Sequence, residues 1–191
     1  IQRVGGGSVE VVSERAYHAP NDLAFGPDGR LWFTDPSGST KSAAGPQPGR
    51  VWALDLSTGE AELILDGPLH PNGLAFGPGG DILYVAETLR RRIFRLRQTA
   101  EGWRHDGIFA ELPRGEPDGM AFDTAGRLWC AGSDGDCIIV FEPDGRVADV
   151  IDLGPSFPTN LCFAGPDLAT LVVTVPKGGR VLAAEADVAG L

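Results

Sequence analysis

The chain repeats itself. "PNDLAF" begins at Pro20, "PNGLAF" at Pro71, "PDGMAF" at Pro117 and "PTNLCF" at Pro158. Their phenylalanines, Phe25, Phe76, Phe122 and Phe163, stand 51, 46 and 41 residues apart. Self-similarity at roughly 40–50 residues with strand-like content is the signature of a β-propeller, whose blades stack on their neighbours to bury a core. After each phenylalanine comes a turn ("GPDGR", "GPGGD", "DTAGR", "AGPDLAT") and a β-rich run ("LWFT", "ILYVA", "LWCA", "LVVTV"). A third run follows ("RVWALD", "RIFRL", "CIIVFE", "RVLAAE"), and a fourth closes the first three repeats. The 27 glycines and 15 prolines suit many short strands joined by tight turns. The expected fold is all-β, a propeller of four-stranded antiparallel blades. About four blades fall within residues 1–191, read as one propeller domain. The opening "IQRVGGGSVEVV" reads as the last two strands of an interrupted blade.

In a propeller blade the first strand lines the central channel, so the residues entering it converge from all blades on one mouth. Asn21, Asn72, Asp118 and Thr159 occupy that position here. The preceding proline fixes the chain where no ladder N–H is needed. Antiparallel pairing brings the end of strand two to the same mouth, which adds Asp35, Glu87 and Ser133 as rim residues. The loop 37–49 is long enough to form part of a lid.

Two amide oxygens and a carboxylate are hard ligands. They suit Ca²⁺, Mg²⁺ or Mn²⁺ better than a soft metal. One negative charge is lean for a dication, so a further carboxylate is expected from a blade outside these residues. A cation so held polarises a carbonyl, and Asp118 can serve as both ligand and proton acceptor. Asn and Asp at strand entrances also serve as turn residues that bond their own backbone. The phased trio favours the site, because a turn alone would accept Ser or Gly. His18, Asp22 and Asp35 are the candidates for orienting a substrate at this mouth.

The net charge of −10 and pI near 4.7 oppose phosphate backbones and anionic lipid, which argues against nucleic acid and membrane as partners. Cys130, Cys137 and Cys162 are an odd, sparse set, read as free thiols. Trp32, Trp52, Trp103 and Trp129 fall at strand positions that suit packing between blades. "LRRRIFRLR" reads as a solvated strand face. There is no phosphate-binding glycine loop, serine elbow or metal-spaced Cys/His pair.

At "PNDLAFGPDGRLWFTDP", "PNGLAFGPGGDILYVAET", "EPDGMAFDTAGRLWCA" and "PTNLCFAGPDLATLVVTV" the chain resembles the SMP-30/gluconolactonase (regucalcin-like) family. Its "FTDP" is closer to the bacterial gluconolactonase branch than to the animal one. The resemblance implies a six-bladed propeller that hydrolyses sugar lactones or similar cyclic esters. It also implies one divalent cation at the mouth, Ca²⁺ or Zn²⁺ typically, with Ca²⁺ expected here. The family's ligands are a Glu from its first blade, two Asn and one Asp. Asn21, Asn72 and Asp118 match the last three, and the Asp is also the family's candidate base.

Two departures stand out. The family's "EGP"-like Glu has no counterpart, and Ala19 stands where animal members carry a substrate-contacting Arg. Six blades at about 45 residues each need roughly 280 residues, so around 90–100 N-terminal residues are expected to be missing. No signal-like segment is visible, which suggests the cytoplasm, with a periplasmic or secreted location left open by the missing start. The rival readings are an arylesterase or phosphotriesterase-like hydrolase on the same scaffold, and a propeller that binds without catalysis.

Overall fold

The computed structural model describes residues 1–37 and 45–191 and is built almost wholly of antiparallel strands. The N-terminal segment forms a hairpin of β1 (Gln2–Gly5) and β2 (Ser8–Val11). The first blade comprises β3 (Leu23–Phe25), β4 (Leu31–Asp35), β5 (Pro48–Leu54) and β6 (Ala61–Leu69), hydrogen-bonded in that order. The second comprises β7 (Pro71–Phe76), β8 (Ile82–Glu87), β9 (Arg92–Thr99) and β10 (Gly102–Glu111). The third comprises β11 (Pro117–Phe122), β12 (Leu128–Gly132), β13 (Cys137–Phe141) and β14 (Val147–Asp152). The fourth has three strands, β15 (Asn160–Ala164), β16 (Thr170–Val175) and β17 (Arg180–Glu185). The repeat is thus the blade, and strands follow one another in space as they do in sequence.

Each blade begins with the same corner. Gly29 N–H donates to Gly26 O at 2.9 Å, and Gly29 has φ +76°, a conformation that an L side chain resists. Asp28 locks the turn by accepting from Arg30 N and from Trp32 Nε1. Asp123 does the same in the third blade, where its buried carboxylate takes Arg127 N, Arg127 Nε and Trp129 Nε1. These clips pin the large ring of strand two against the next blade.

The core lies between blades, as the tryptophan positions predict. Trp32 meets Phe76 edge-on at 5.4 Å and Trp103 at 5.0 Å across the first interface. Tyr84 and Phe122 repeat the pairing at 5.0 Å across the second, and Trp129 and Phe163 at 5.5 Å across the third. Such pairs add about 0.5–1.5 kcal/mol each beyond the area they bury. Phe25 holds the same repeat position as Phe76, Phe122 and Phe163, yet it is 66% exposed, because no blade precedes it among the described residues.

Only part of the arginine-rich run is a solvated face. Arg95 and Arg97 pair with Asp106 on the neighbouring strand. Arg90 and Arg92 instead converge on Glu87, which is 1% exposed and also accepts Leu69 N–H at 2.7 Å. Removing that carboxylate strands a backbone N–H and two guanidinium groups. Because both arginines reach solvent, the loss is smaller than for a fully buried pair. Glu87→Ala is expected to lower stability by about 2 kcal/mol and the melting temperature by roughly 4–8 °C, and an unchanged melt would contradict this.

Candidate active site at the channel mouth

The entrances to the first strands do come together, and side-chain hydroxyls stitch them. Thr34 Oγ1 donates to Asn72 O at 2.7 Å, joining blade one to blade two. Thr88 Oγ1 donates to Pro117 O at 2.9 Å, joining two to three. Gly119 N–H donates to Thr159 O at 3.0 Å, joining three to four. Asn72 and Asp118 are neighbours here: the Asn72 side chain, whose NH₂ alone can donate, is among the groups that hold the Asp118 carboxyl. Asn21 is exposed just before β3, its N–H donating to Thr34 O at 2.9 Å. Thr159 sits in the same register before β15, its hydroxyl 3.0 Å from that of Thr174.

The close approach needs glycine. A Cβ on Gly73 would lie 2.1 Å from Asp118 O, and one on Gly119 would lie 2.0 Å from Asn160 Oδ1. Asp22, Gly73, Gly119 and Asn160 are the third residues of the four motifs. The two glycines leave room for the two side chains to meet. Asp22 Oδ2 accepts Leu74 N–H at 3.2 Å from blade two, and its carboxyl also meets Asn160 of blade four.

Burial is the main force on the Asp118 carboxyl. It pushes the pKa up to about 6, Ser133 and Asn72 hold it back by hydrogen bonding, and the nearby Asp22 charge raises it further. Ser133 Oγ donates to Asp118 Oδ2 at 3.0 Å. Burial also raises Asp22, against the N–H groups of Leu74 and Leu23.

Asn72 carries the clearest sign of a ligand. The residue is 6% exposed, its Nδ2 donates to Thr88 Oγ1 at 3.2 Å, and its Oδ1 is buried with no hydrogen-bond donor. A buried acceptor without a donor costs about 1–3 kcal/mol. A hard cation suits an amide oxygen beside a carboxylate. Among the described residues no three His, Cys, Asp or Glu side chains cluster, so a cation here relies on amide oxygens.

Asp22 and Asp35, expected to orient a substrate at the rim, both bond backbone at the entrance. Asp35 is 1% exposed, and its Oδ1 accepts Ala19 N–H at 2.7 Å. It holds the backbone two residues before Asn21, and Asp22 likewise serves backbone N–H groups. His18 is exposed on that same entrance segment. Residues 38–44 of the loop read as part of a lid lie outside the described residues. Thr88 and Asn160 are the site neighbours that the repeat did not single out, whereas Ser133, expected at the rim, bonds Asp118. Thr88 and Ser133 share one register, directly after strand two, and a hydroxyl in both repeats was the available signal.

A propeller whose first-strand entrances are linked from blade to blade is the class that the fold defines. The chain belongs to the SMP-30/gluconolactonase/LRE-like family, whose sequence profile matches residues 7–177. It is 32% identical over 166 residues to a 6-deoxy-6-sulfogluconolactonase of Pseudomonas putida, covering 84% of this chain and 55% of that protein. It is 34% identical over 163 residues to a pentonolactonase of Haloferax volcanii, covering 83% and 53%. A gluconolactonase structure from Xanthomonas campestris superposes with a TM-score of 0.78 at 27% identity, over 95% of this chain and 63% of that one. The chain thus spans about half the length of these curated relatives. Among the described residues no helix is long and apolar enough to cross a membrane.

Proposed function

We propose that residues 1–191 are part of one propeller domain of a cation-dependent hydrolase that opens a sugar lactone or similar cyclic ester. The observation that carries this is the buried Asn72 Oδ1, which finds no donor, on a residue whose side chain neighbours the Asp118 carboxyl. The names of the relatives support the substrate class. Asn21, Asn72 and Asp118 would hold the cation, and their all-oxygen chemistry favours Ca²⁺, with Mg²⁺, Mn²⁺ or Zn²⁺ as substitutes. When bound, the cation supplies a Lewis acid for the lactone carbonyl oxygen.

The residues of the chain do the rest. Asp118 accepts a proton from the attacking water as the water oxygen bonds to the carbonyl carbon. The ring C–O bond then breaks, and Asp118 returns its proton to the departing ring oxygen, giving the open hydroxy acid and restoring the carboxylate. Ser133 holds Asp118 Oδ2 and so helps fix the carboxyl. His18, exposed on the entrance segment, meets the hydroxyls of the substrate. Asp22 and Asp35 act on the substrate indirectly, by fixing the backbone on either side of Asn21. The three free cysteines, two of them buried, suit a reducing cytoplasm.

A substrate panel tests the reaction class. Proton release should be fastest with aldonolactones and slow with aryl esters and phosphotriesters. Faster turnover of either of the latter would move the assignment to that hydrolase, and turnover of none would leave a binding propeller.

A further inference from the structure

A chain of hydroxyls runs from blade to blade and touches every ligand-bearing entrance. Thr34 Oγ1 accepts Asp22 N–H at 3.1 Å and donates to Asn72 O. Thr88 Oγ1 accepts from Asn72 Nδ2 and donates to Pro117 O. Ser133 Oγ donates to Asp118 Oδ2.

The middle link has a directional consequence. A threonine hydroxyl has one proton, and a backbone carbonyl can only accept. The Thr88 proton is committed to Pro117 O, so toward Asn72 the hydroxyl can only accept. It must face the NH₂ edge of the amide. Turning the Asn72 amide over would set two acceptors, Oδ1 and Oγ1, against each other. The arrangement therefore holds Oδ1 away from Thr88, in the buried position where it finds no donor. Thr88 is 7% exposed and sits at the start of a short 3₁₀ turn, Thr88–Arg90, whose backbone N–H at Thr88 donates to His70 O. Its position is thus fixed from three sides: by its strand, by the entrance of its own blade and by the entrance of the next.

We propose that Thr88 is a positioning residue that locks the Asn72 amide with its oxygen toward the cation, so that cation affinity depends on a hydroxyl that never touches the ion. This rests on the cation-dependent reading above. It adds a residue outside the ligand set and gives the proline-led entrance of the third blade a second task, since the Pro117 carbonyl orients the hydroxyl.

Calorimetric titration of Ca²⁺ into the wild type, Thr88→Val, Thr88→Ser and Asn72→Ala is the test, run well below each melting temperature. Thr88→Val keeps the shape and removes the hydroxyl. It should weaken Ca²⁺ binding by about 10- to 100-fold, as loss of an outer-shell partner does, while Thr88→Ser restores binding to within about threefold of wild type. A general loss of packing would not be rescued by serine, which lacks the methyl. Wild-type affinity in Thr88→Val overturns the proposal, and so does a serine variant as weak as the valine one. Should the valine variant fail to fold, Thr88→Ala gives the same comparison. If the wild type binds no Ca²⁺ and Asn72→Ala changes nothing, the cation reading itself falls. If Asn72→Ala weakens binding but Thr88→Val does not, only the role of Thr88 falls.

Discussion

Asp118→Ala removes hydrolysis and cation binding together. The substitution deletes the only anionic ligand in the trio and the proton acceptor. A positioned base contributes about 10²–10⁴-fold on its own, so the loss in kcat/KM should be at least 10³-fold once the cation is weakened as well. Asp118→Asn separates the two roles. It keeps the size and an amide oxygen for a cation, and it loses the proton acceptor. Cation binding should weaken and persist while turnover disappears. Retained hydrolysis in either variant would refute the role of Asp118.

The same residue links pH to stability and binding. The carboxyl titrates near 6 in the folded protein, above its ordinary value of 3.8, chiefly through burial. The folded state therefore binds the proton more tightly than the unfolded chain does. Below the ordinary carboxylate pKa both states are protonated, and the favourable contribution is fully present. It is lost as pH rises through about 6, where the buried group must ionise. Cation-free protein should thus melt at lower temperature at pH 7 than at pH 5 through this group. Asp118→Asn should remove that slope and raise the cation-free melting temperature at pH 7. Cation affinity should run the other way, weakening up to about tenfold per pH unit below 6, because the ligand must shed its proton. A melt of Asp118→Asn with the wild-type pH slope would show that the burial of this carboxyl is not what the fold works against.

Gly73→Ala is the most damaging single methyl at the mouth. Its Cβ would lie 2.1 Å from Asp118 O and 2.9 Å from both Asp118 C and Gly119 Cα, all backbone atoms of the next blade. No rotamer relieves a Cβ clash, so the second and third blades must separate at the point where Asn72 and Asp118 meet. Overpacking of this kind costs about 1–3 kcal/mol and sometimes more. The upper end is expected because backbone, and not a flexible side chain, is in the way. The melting temperature should fall by roughly 6–12 °C. Activity should fall further than stability explains, since the two ligands are displaced from each other. Wild-type activity in a folded Gly73→Ala protein would mean that Asn72 and Asp118 need not be held at this spacing.

The fold was legible because its unit repeats. Four Pro-x-x-x-x-Phe motifs in phase identify the blade, and the alternating runs between turns mark the strands. Phase alone gives Asn72 and Asp118 equivalent positions, since a propeller repeats about one axis. What phase cannot supply is which way a side chain is spent. Asp35 and Asp22 look like open carboxylates in sequence, yet each accepts a backbone N–H from a segment 16 or 52 residues away. Glu87 looked like a rim acid and proves to be the buried anchor of two arginines from a run that reads as solvated. Thr88 and Ser133 are ordinary residues in sequence, and their importance lies in where one proton goes, a question only coordinates pose. The glycines of "PNG" and "PDG" read as turn residues. In the structure they are the spacing that lets two blades touch.

The most direct measurement is the rate of aldonolactone hydrolysis, corrected for the spontaneous reaction, before chelation, after exhaustive chelation and after Ca²⁺ is returned. The rate should fall to the spontaneous value on chelation and recover with Ca²⁺. An enzymatic rate that survives chelation would contradict a role for the cation.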